Sequence, residues 1–490
     1  MELSVSQSSQ KSRKSHNVKA SRKSMLTPRA IRFLKSRMIF KNDLKNMVAL
    51  MVSALNLIAV NAQNNTQADS VRIMTLQQCI DFAMQHQPAL NRAIINQAMV
   101  RTENTINLSG WLPQLSLSAN SVHFNQLPTS FETNPSNPSG PPVKIKTGIV
   151  NTAIPVFSAS QAIFSPQLLH AAKNAPLYIR QAEQITDSSK IGLVTAVNKS
   201  FFNLLLTLEQ VNILKEDTTR LGRTVRDTYK QYVGGIVDET DYDEALITLN
   251  NSRAQLKQQT ENIAPGYSLL KQLIGYQPDR QFDVAFDTVQ MMKEIAFDTT
   301  QALQYEKRIE FQQLQTAKKI QHQLTSYYKY SILPSLSAEY NYYYEYENNS
   351  SADLFNAAYP YSYIGLSVNI PLFTGLSRSG NIRRSKLQEE DLGWAEVDLK
   401  SQIYSEYSTA LANFKSNLFN WSLLKENQAM ARNVYDIVAL QYQQGIVAYL
   451  NLIVAESNLI TAETGYINAL FLLLSSKTDL EKSIGAIPYH

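Results

Sequence analysis

A single cysteine, Cys79, is present among 490 residues, so no intramolecular disulfide can form. Its context, Leu76-Gln-Gln-Cys79, has bulky amides where a lipoprotein signal needs small residues, and no apolar run precedes it. The thiol therefore reads as a buried structural group. The six histidines (His16, His86, His123, His170, His322 and His490) are scattered, with no pair at i, i+4 and no carboxylate motif, so the usual zinc patterns are missing. There is no Gly-x-Ser-x-Gly elbow, phosphate loop or dinucleotide fingerprint, so neither catalysis nor a cofactor is expected. Basic charge is also scarce where it would matter. Residues 1–62 hold twelve Lys and Arg against Glu2 and Asp43, leaving 34 basic and 39 acidic residues for the remainder. The formal +5 of the whole becomes −5 beyond residue 62, and nucleic-acid binding by the main body has no electrostatic basis.

Long apolar runs are scarce as well. Met47 to Val60 spans about fourteen residues, short of the roughly 20 a spanning helix needs. With Lys41 and Lys45 ahead of it and the small-residue site Val60-Asn61-Ala62 behind, it reads as a secretory signal cleaved before Gln63. The Ser-, Lys- and Arg-rich stretch before Met38 is unusual for a signal, and a translation start at Met38 or Met25 is expected.

What the chain does have is an internal repeat. A shift of 210 positions lays Tyr232 on Tyr442, Gly235 on Gly445, Ile236 on Ile446, Val237 on Val447 and Ala245 on Ala455. The same shift carries Leu193, Val197, Phe201, Leu204, Leu208, Val211 and Leu214 onto Ile403, Tyr407, Leu411, Phe414, Leu418, Trp421 and Leu424, and Ile274-Gly275 onto Ile484-Gly485. A period this long is too large for a solenoid unit and indicates a duplicated half-molecule. The apolar steps average close to 3.5 residues, the mark of a coiled-coil seam. Helices are expected over 161–232 and 377–442, each roughly 100 Å long at about 1.5 Å per residue. Each ends in a glycine turn and returns into a helix closed by Ile-Gly-x-x-Pro, with Asp238 placed to cap the first return. Asp241, Asp243 and Glu244 resemble a paired-carboxylate cluster, but acids in a first helical turn more commonly stabilise the helix terminus.

Two segments change period from about 3.6 to 2. Thr75 is placed to cap a helical pattern that ends near Gly110, after which Trp111-Leu-Pro-Gln-Leu-Ser-Leu-Ser reads as a strand, and a second extended stretch covers 143–157. The later hairpin is sharper. Leu336, Ala338, Tyr340, Tyr342, Tyr344 and Tyr346 alternate with polar residues, and Ile364, Leu366, Val368 and Ile370 do so on the partner strand. Such alternation fits a half-buried hairpin on a water-soluble core or a lipid-facing barrel. Strands of about ten residues, eight tyrosines between Tyr340 and Tyr363 and the export signal favour the barrel. Four strands are too few to close a membrane barrel, so several chains would have to contribute. The chain thus divides into an extension (1–37), a signal (38–62), a polar spacer (63–74), a first repeat (75–278), a linker (279–296) and a second repeat (297–490).

Thr75-Leu…Ala83…Pro88, Leu112-Pro-Gln-Leu-Ser-Leu-Ser, Ile154-Pro-Val-Phe157, Leu333-Pro-Ser-Leu-Ser, Ile370-Pro-Leu-Phe-Thr-Gly375 and the two glycine turns together resemble the outer-membrane factor family typified by TolC. The resemblance covers nearly all of 75–487. It implies a mainly α fold with a β-barrel part: a homotrimer in the outer membrane of a Gram-negative-type bacterium, each chain giving four strands to a twelve-stranded transmembrane barrel and long helices to a periplasmic α-barrel. It implies a passive exit duct for a tripartite efflux pump or type I secretion system, with a periplasmic adaptor and an inner-membrane transporter as partners and outer-membrane lipid around the barrel. The glycine turns would form the periplasmic tip, with Gly235, Asp241, Tyr442, Gly445, Asn451 and Val454 at the aperture and Val233, Ile236, Val237, Ile446 and Val447 facing the adaptor. In the family the acid at Asp241 can pair with the tyrosine at Tyr442. Asn451 and Val454 stand where some members carry an acidic ring, and Val447 where some carry a basic residue, so a thinner closing network is expected. A secreted coiled-coil scaffold or periplasmic adaptor is the rival class.

Overall fold

The computed structural model describes residues 72–133, 135, 136, 138–285, 295 and 302–489. The extension and signal segments, and most of the spacer and linker, lie outside the described residues. What is described of the two connectors is structured: β1 (Arg72–Met74) ends the spacer and pairs in parallel with β6 (Phe282–Val284), at the start of the linker.

Thr75 caps α1 (Leu76–His86) as its sequence predicts. Its hydroxyl accepts from the Gln78 N–H at 3.3 Å, while the Gln78 side chain accepts from the Thr75 N–H at 3.0 Å, a reciprocal capping box. The helical pattern up to Gly110 is two helices. Pro88 lacks an N–H and holds Gln87 extended, so α1 stops and α2 (Pro88–Leu108) starts with proline in its first turn. The strand β2 (Gln114–His123) leads into a crown, where β3 (Thr129–Glu132) and β4 (Val143–Lys146) form a separate hairpin, so the extended stretch expected over 143–157 is broken. Then β5 (Asn151–Phe164) returns, and α3 (Pro166–Val233) begins only after it. Residues 161–164, expected to be helical, pair instead with Leu336–Ala338 in the sheet. Pro166 opens the long helix, in the first turn where its missing N–H breaks no intrahelical bond, with Ser165 as the cap.

After α3 come α4 (Glu239–Ile274), α5 (Ile309–Tyr330), β7 (Ser335–Asn348), β8 (Ala358–Asn369), α6 (Ser377–Gln443) and α7 (Tyr449–Ser483). At 68 and 67 residues, α3 and α6 each reach roughly 100 Å at about 1.5 Å per residue. The returning helices are about half as long. The other half of α3 is covered by α2 and that of α6 by α5, so each long helix has a partner along both halves. Asp238 occupies the N-cap of α4 but makes no side-chain cap bond, contrary to its expected role.

The seam of α3 supplies the core. Val197, Phe201, Leu204, Val211 and Leu214 are buried, and they or their neighbours pack with Cys79 and Ala83 of α1, Leu270 and Ile274 of α4, Phe414 of α6 and Leu470, Phe471, Leu473 and Leu474 of α7. Burial pushes the Cys79 thiol up to about 12, as suits an inert core sulfur. Stretches of α3 and α7 are apolar enough to cross a membrane by composition, but their apolar side chains build this core. The seam of α6 faces the same core, with Ile403 and Phe414 buried and Tyr407, Leu411, Leu418 and Trp421 half-buried, whereas on another face of the helix Trp394, Val397, Tyr404, Phe419, Met430 and Val434 form an exposed apolar stripe.

The four long strands make one antiparallel sheet in the order β2-β5-β7-β8. Register places the expected apolar sets opposite one another, Leu336 on Val368, Ala338 on Leu366 and Tyr340 on Ile364. The first hairpin joins the same face through Leu115, Ala159, Leu117 and Phe157. The other face is polar, and Ser158 donates to Asn341 at 2.6 Å while Asn341 donates to Tyr363 at 3.0 Å. The apolar face is open: Leu117 is 76% exposed, Ile364 80% and Leu366 71%. That excludes the water-soluble hairpin folded onto a core, among the described residues, because an apolar sheet face left uncovered marks a lipid or partner surface.

Candidate functional site

The two glycine turns lie side by side at the far end of the helices. Gly235 and Gly445 both take φ of +70°, the left-handed conformation that a helix C-terminus of this type needs. In the first turn Ile236 donates to the Gln231 carbonyl at 2.8 Å, and in the second Ile446 donates to that of Gln441 at 2.9 Å. No atom would meet a Cβ at either glycine, so the backbone dihedral alone demands the residue.

Tyr442 joins the two turns. Its ring is buried, edge-on to Tyr449 at 6.1 Å between centroids, and packs with Ala245, Leu452 and Val447. Its hydroxyl donates to the Gln231 side chain at 2.8 Å and lies 3.3 Å from the Thr228 hydroxyl, so α6 is bonded to α3 across the tip. Within the chain, then, Tyr442 is engaged by Gln231 and Thr228, and not by Asp241. Asp241 is half-buried in the first turn of α4, with Glu239 beside it, where negative charge complements the helix terminus. Asn451 and Val454 are exposed on α7. Among the expected adaptor-facing residues, Val233, Ile236 and Ile446 are exposed, Ile236 at 75%, while Val237 and Val447 are half-buried. A tyrosine group flanks the first turn: Tyr242 lies 5.4 Å from Tyr229 and stacks 6.3 Å from Tyr232.

Sequence reasoning missed Gln231 and Thr228, whose link to Tyr442 spans more than two hundred positions. It also missed a set of buried charges behind the tip. Asp217 and Arg220 of α3 face Glu456 and Glu463 of α7. A signal existed, since Glu456 and Glu463 fall on the same helical phase as Leu452 and Leu459, where apolar side chains are expected.

A family model described as outer membrane efflux protein matches residues 79–276 and 328–486, both halves of the chain including both turns. The chain belongs to the outer membrane efflux protein family. Outer membrane channels with solved structures are similar to it in fold at low identity. The outer membrane protein VceC of Vibrio cholerae is 16% identical over 84% of this chain and 96% of its own, with a TM-score of 0.64. The Campylobacter jejuni CmeC outer membrane channel is 16% identical over 87% and 90%, at 0.66. The Neisseria gonorrhoeae MtrE outer membrane channel, in its open state, is 17% identical over 86% and 94%, at 0.64. No curated protein sequence matches the chain. Family membership explains why helices of this length carry a small sheet at one end: these are TolC-like channels, mainly helical with a strand part.

Proposed function

We propose that three copies of this chain form a passive exit duct across the outer membrane, with a twelve-stranded barrel in lipid and the helices extending as a tunnel into the periplasm. The observation that carries it is the four-stranded sheet, with an exposed apolar face and unpaired edges at β2 and β8. Open edges are not tolerated in lipid, and four strands cannot close on themselves. In an all-antiparallel sheet of even number the two edge strands run in opposite directions. The β8 edge of one copy therefore meets the β2 edge of the next as an antiparallel neighbour, and the alternating faces stay in phase. The exposed apolar stripe of α6 calls for a partner of the same kind, which a neighbouring copy supplies.

Each chain reads as two related halves, both ending in a tip turn. The tip turns face away from the membrane, and the exposed Val233, Ile236 and Ile446 provide an apolar surface for a periplasmic adaptor, which joins the duct to an inner-membrane transporter. Energy comes from those partners; the duct itself holds a lumen and a tip that opens. Fractionation tests the reading. Heat-modifiable trimers in the outer-membrane fraction, crosslinking to an adaptor through cysteines placed at Val233 or Ile446, are expected. A soluble periplasmic monomer would refute it and favour a coiled-coil scaffold.

A further inference from the structure

Three carboxylates, Asp217, Glu456 and Glu463, are buried together behind the tip, around one guanidinium. Arg220 lies 3.5 Å from Asp217, 3.7 Å from Glu456 and 3.9 Å from Glu463. Two of the three acids have further support. Ser252 of α4 donates to Asp217 at 2.5 Å, and Arg432 of α6 is hydrogen-bonded to Glu463. Glu456 has none: it is fully buried, neither of its oxygens accepts a hydrogen bond, and Arg220 Nε stands beyond hydrogen-bond reach. Arg220 and Arg432 can balance two of the three carboxylates, so ionising all three would leave one uncompensated negative charge in the core.

We propose that Glu456 is a proton-sensing positioning residue that clamps α7 to α3 behind the tip, holding the two turns together while it carries a proton and loosening them when it ionises. The proposal rests on the duct reading for its consequence in transport. Arg220 is the one cation that acts directly on Glu456 among the described residues; Arg223 is exposed and acts on Tyr435 instead. From α3 the facing groups are Asp217, Arg220 and Arg223; from α6, Arg432, Tyr435 and Asp436; from α7 itself, Tyr449 and Glu463; and beyond Tyr449, Asp241 and Glu244 of α4. Arg220 is shared among three acids and lies over the Tyr435 ring, 5.7 Å from its centroid. The Tyr449 hydroxyl, seven residues earlier on α7, is likewise buried without a partner. Loss of water first, and then the charge of Asp217, push the Glu456 carboxyl up to about 7 from its ordinary 4.5.

The sign follows directly. An acid whose pKa is higher in the closed core than in an opened, hydrated state favours closure at low pH; that preference is lost as pH rises from about 4.5 to about 7, and levels off above. With these two values, the local opening equilibrium rises about 20-fold between roughly pH 5.5 and pH 7.5. The position makes the effect matter. Glu456 shares a helix face with Tyr449 and Leu452, which pack on Tyr442, and lies one turn beyond Leu452, so a loosened α3–α7 contact frees the residues that hold the turns.

The experiment uses the purified full-length protein in lipid, measuring planar-bilayer conductance and amide exchange of residues 213–224 and 449–460 across this pH range, corrected for intrinsic exchange. Wild type is expected to open more as pH rises. Glu456→Gln, isosteric and neutral, should stay at the acid value throughout. Asp217→Asn should keep the response but move its midpoint to lower pH, because the neighbouring negative charge is gone; a merely structural role would not shift a midpoint. A wild-type response that survives Glu456→Gln, or a wild type flat in exchange, overturns the proposal. Pores absent while exchange still titrates through Glu456 would sink the duct and leave the clamp standing.

Discussion

Replacing Tyr442 with phenylalanine removes one oxygen and keeps the ring that packs on Tyr449 and Ala245, so the hydroxyl is tested alone. That hydroxyl makes a 2.8 Å bond to the half-buried Gln231 side chain and a 3.3 Å contact with the fully buried Thr228. A neutral hydrogen bond contributes about 1 kcal/mol net, and the partner left behind adds to the loss where it stays dry. Gln231 can turn toward solvent, and a threonine within a helix can turn its hydroxyl to the carbonyl four residues back, so the total should be about 1–2 kcal/mol, or roughly a 5- to 30-fold shift toward an open tip. Single-channel recording of the variant in bilayers should show longer or larger openings at fixed voltage. The pair can be isolated by a double-mutant cycle with Gln231→Leu. If the bond is the cause, Tyr442→Phe should add little in the Gln231→Leu background. Unchanged conductance, or the same increment in both backgrounds, would show that the tip is not held by this bond.

Further outcomes follow from the core. Gly275→Ala should cost at least about 2 kcal/mol in thermal or denaturant unfolding, because its φ of +72° disfavours a side chain and a Cβ would sit 2.5 Å from the His86 carbonyl. Arg308→Met should destabilise the protein by about 2 kcal/mol, measured in the same way. Arg308 is buried and bonds Glu406 at 2.8 Å, Glu310 at 3.0 Å and the Ser483 carbonyl at 2.9 Å, tying α5, α6 and α7; the largely exposed Glu406 can be rehydrated, which limits the loss. Cys79 should resist thiol reagents near neutral pH in the folded protein and react fully in denaturant, since its thiol is buried and its pKa is pushed up to about 12.

Local patterns were legible because local physics sets them. The 3.5-residue steps from Leu193 to Leu214 specify a seam, Thr75 specifies a cap, and the period-2 alternation from Leu336 to Tyr346 specifies a strand with its faces assigned. Each depends on neighbours within a few positions. The same locality explains the misreadings. Residues 161–164 could extend the helical pattern, and only their pairing with Leu336–Ala338 makes them strand. Arg72–Met74 and Phe282–Val284 look like connectors until each finds the other.

By itself, the sequence determined that this protein has two long helices, each ending in a glycine turn, and a two-faced sheet. Only the tertiary structure decided which polar groups do the holding. Gln231 meets Tyr442 where α3 lies beside α6, and Glu456 is shut away from water with Arg220 where α7 packs on α3. A glutamate on an apolar helical phase carries no mark of its neighbours; its chemistry is set by the solvent it loses and the charges brought beside it, and both arrive from another part of the chain.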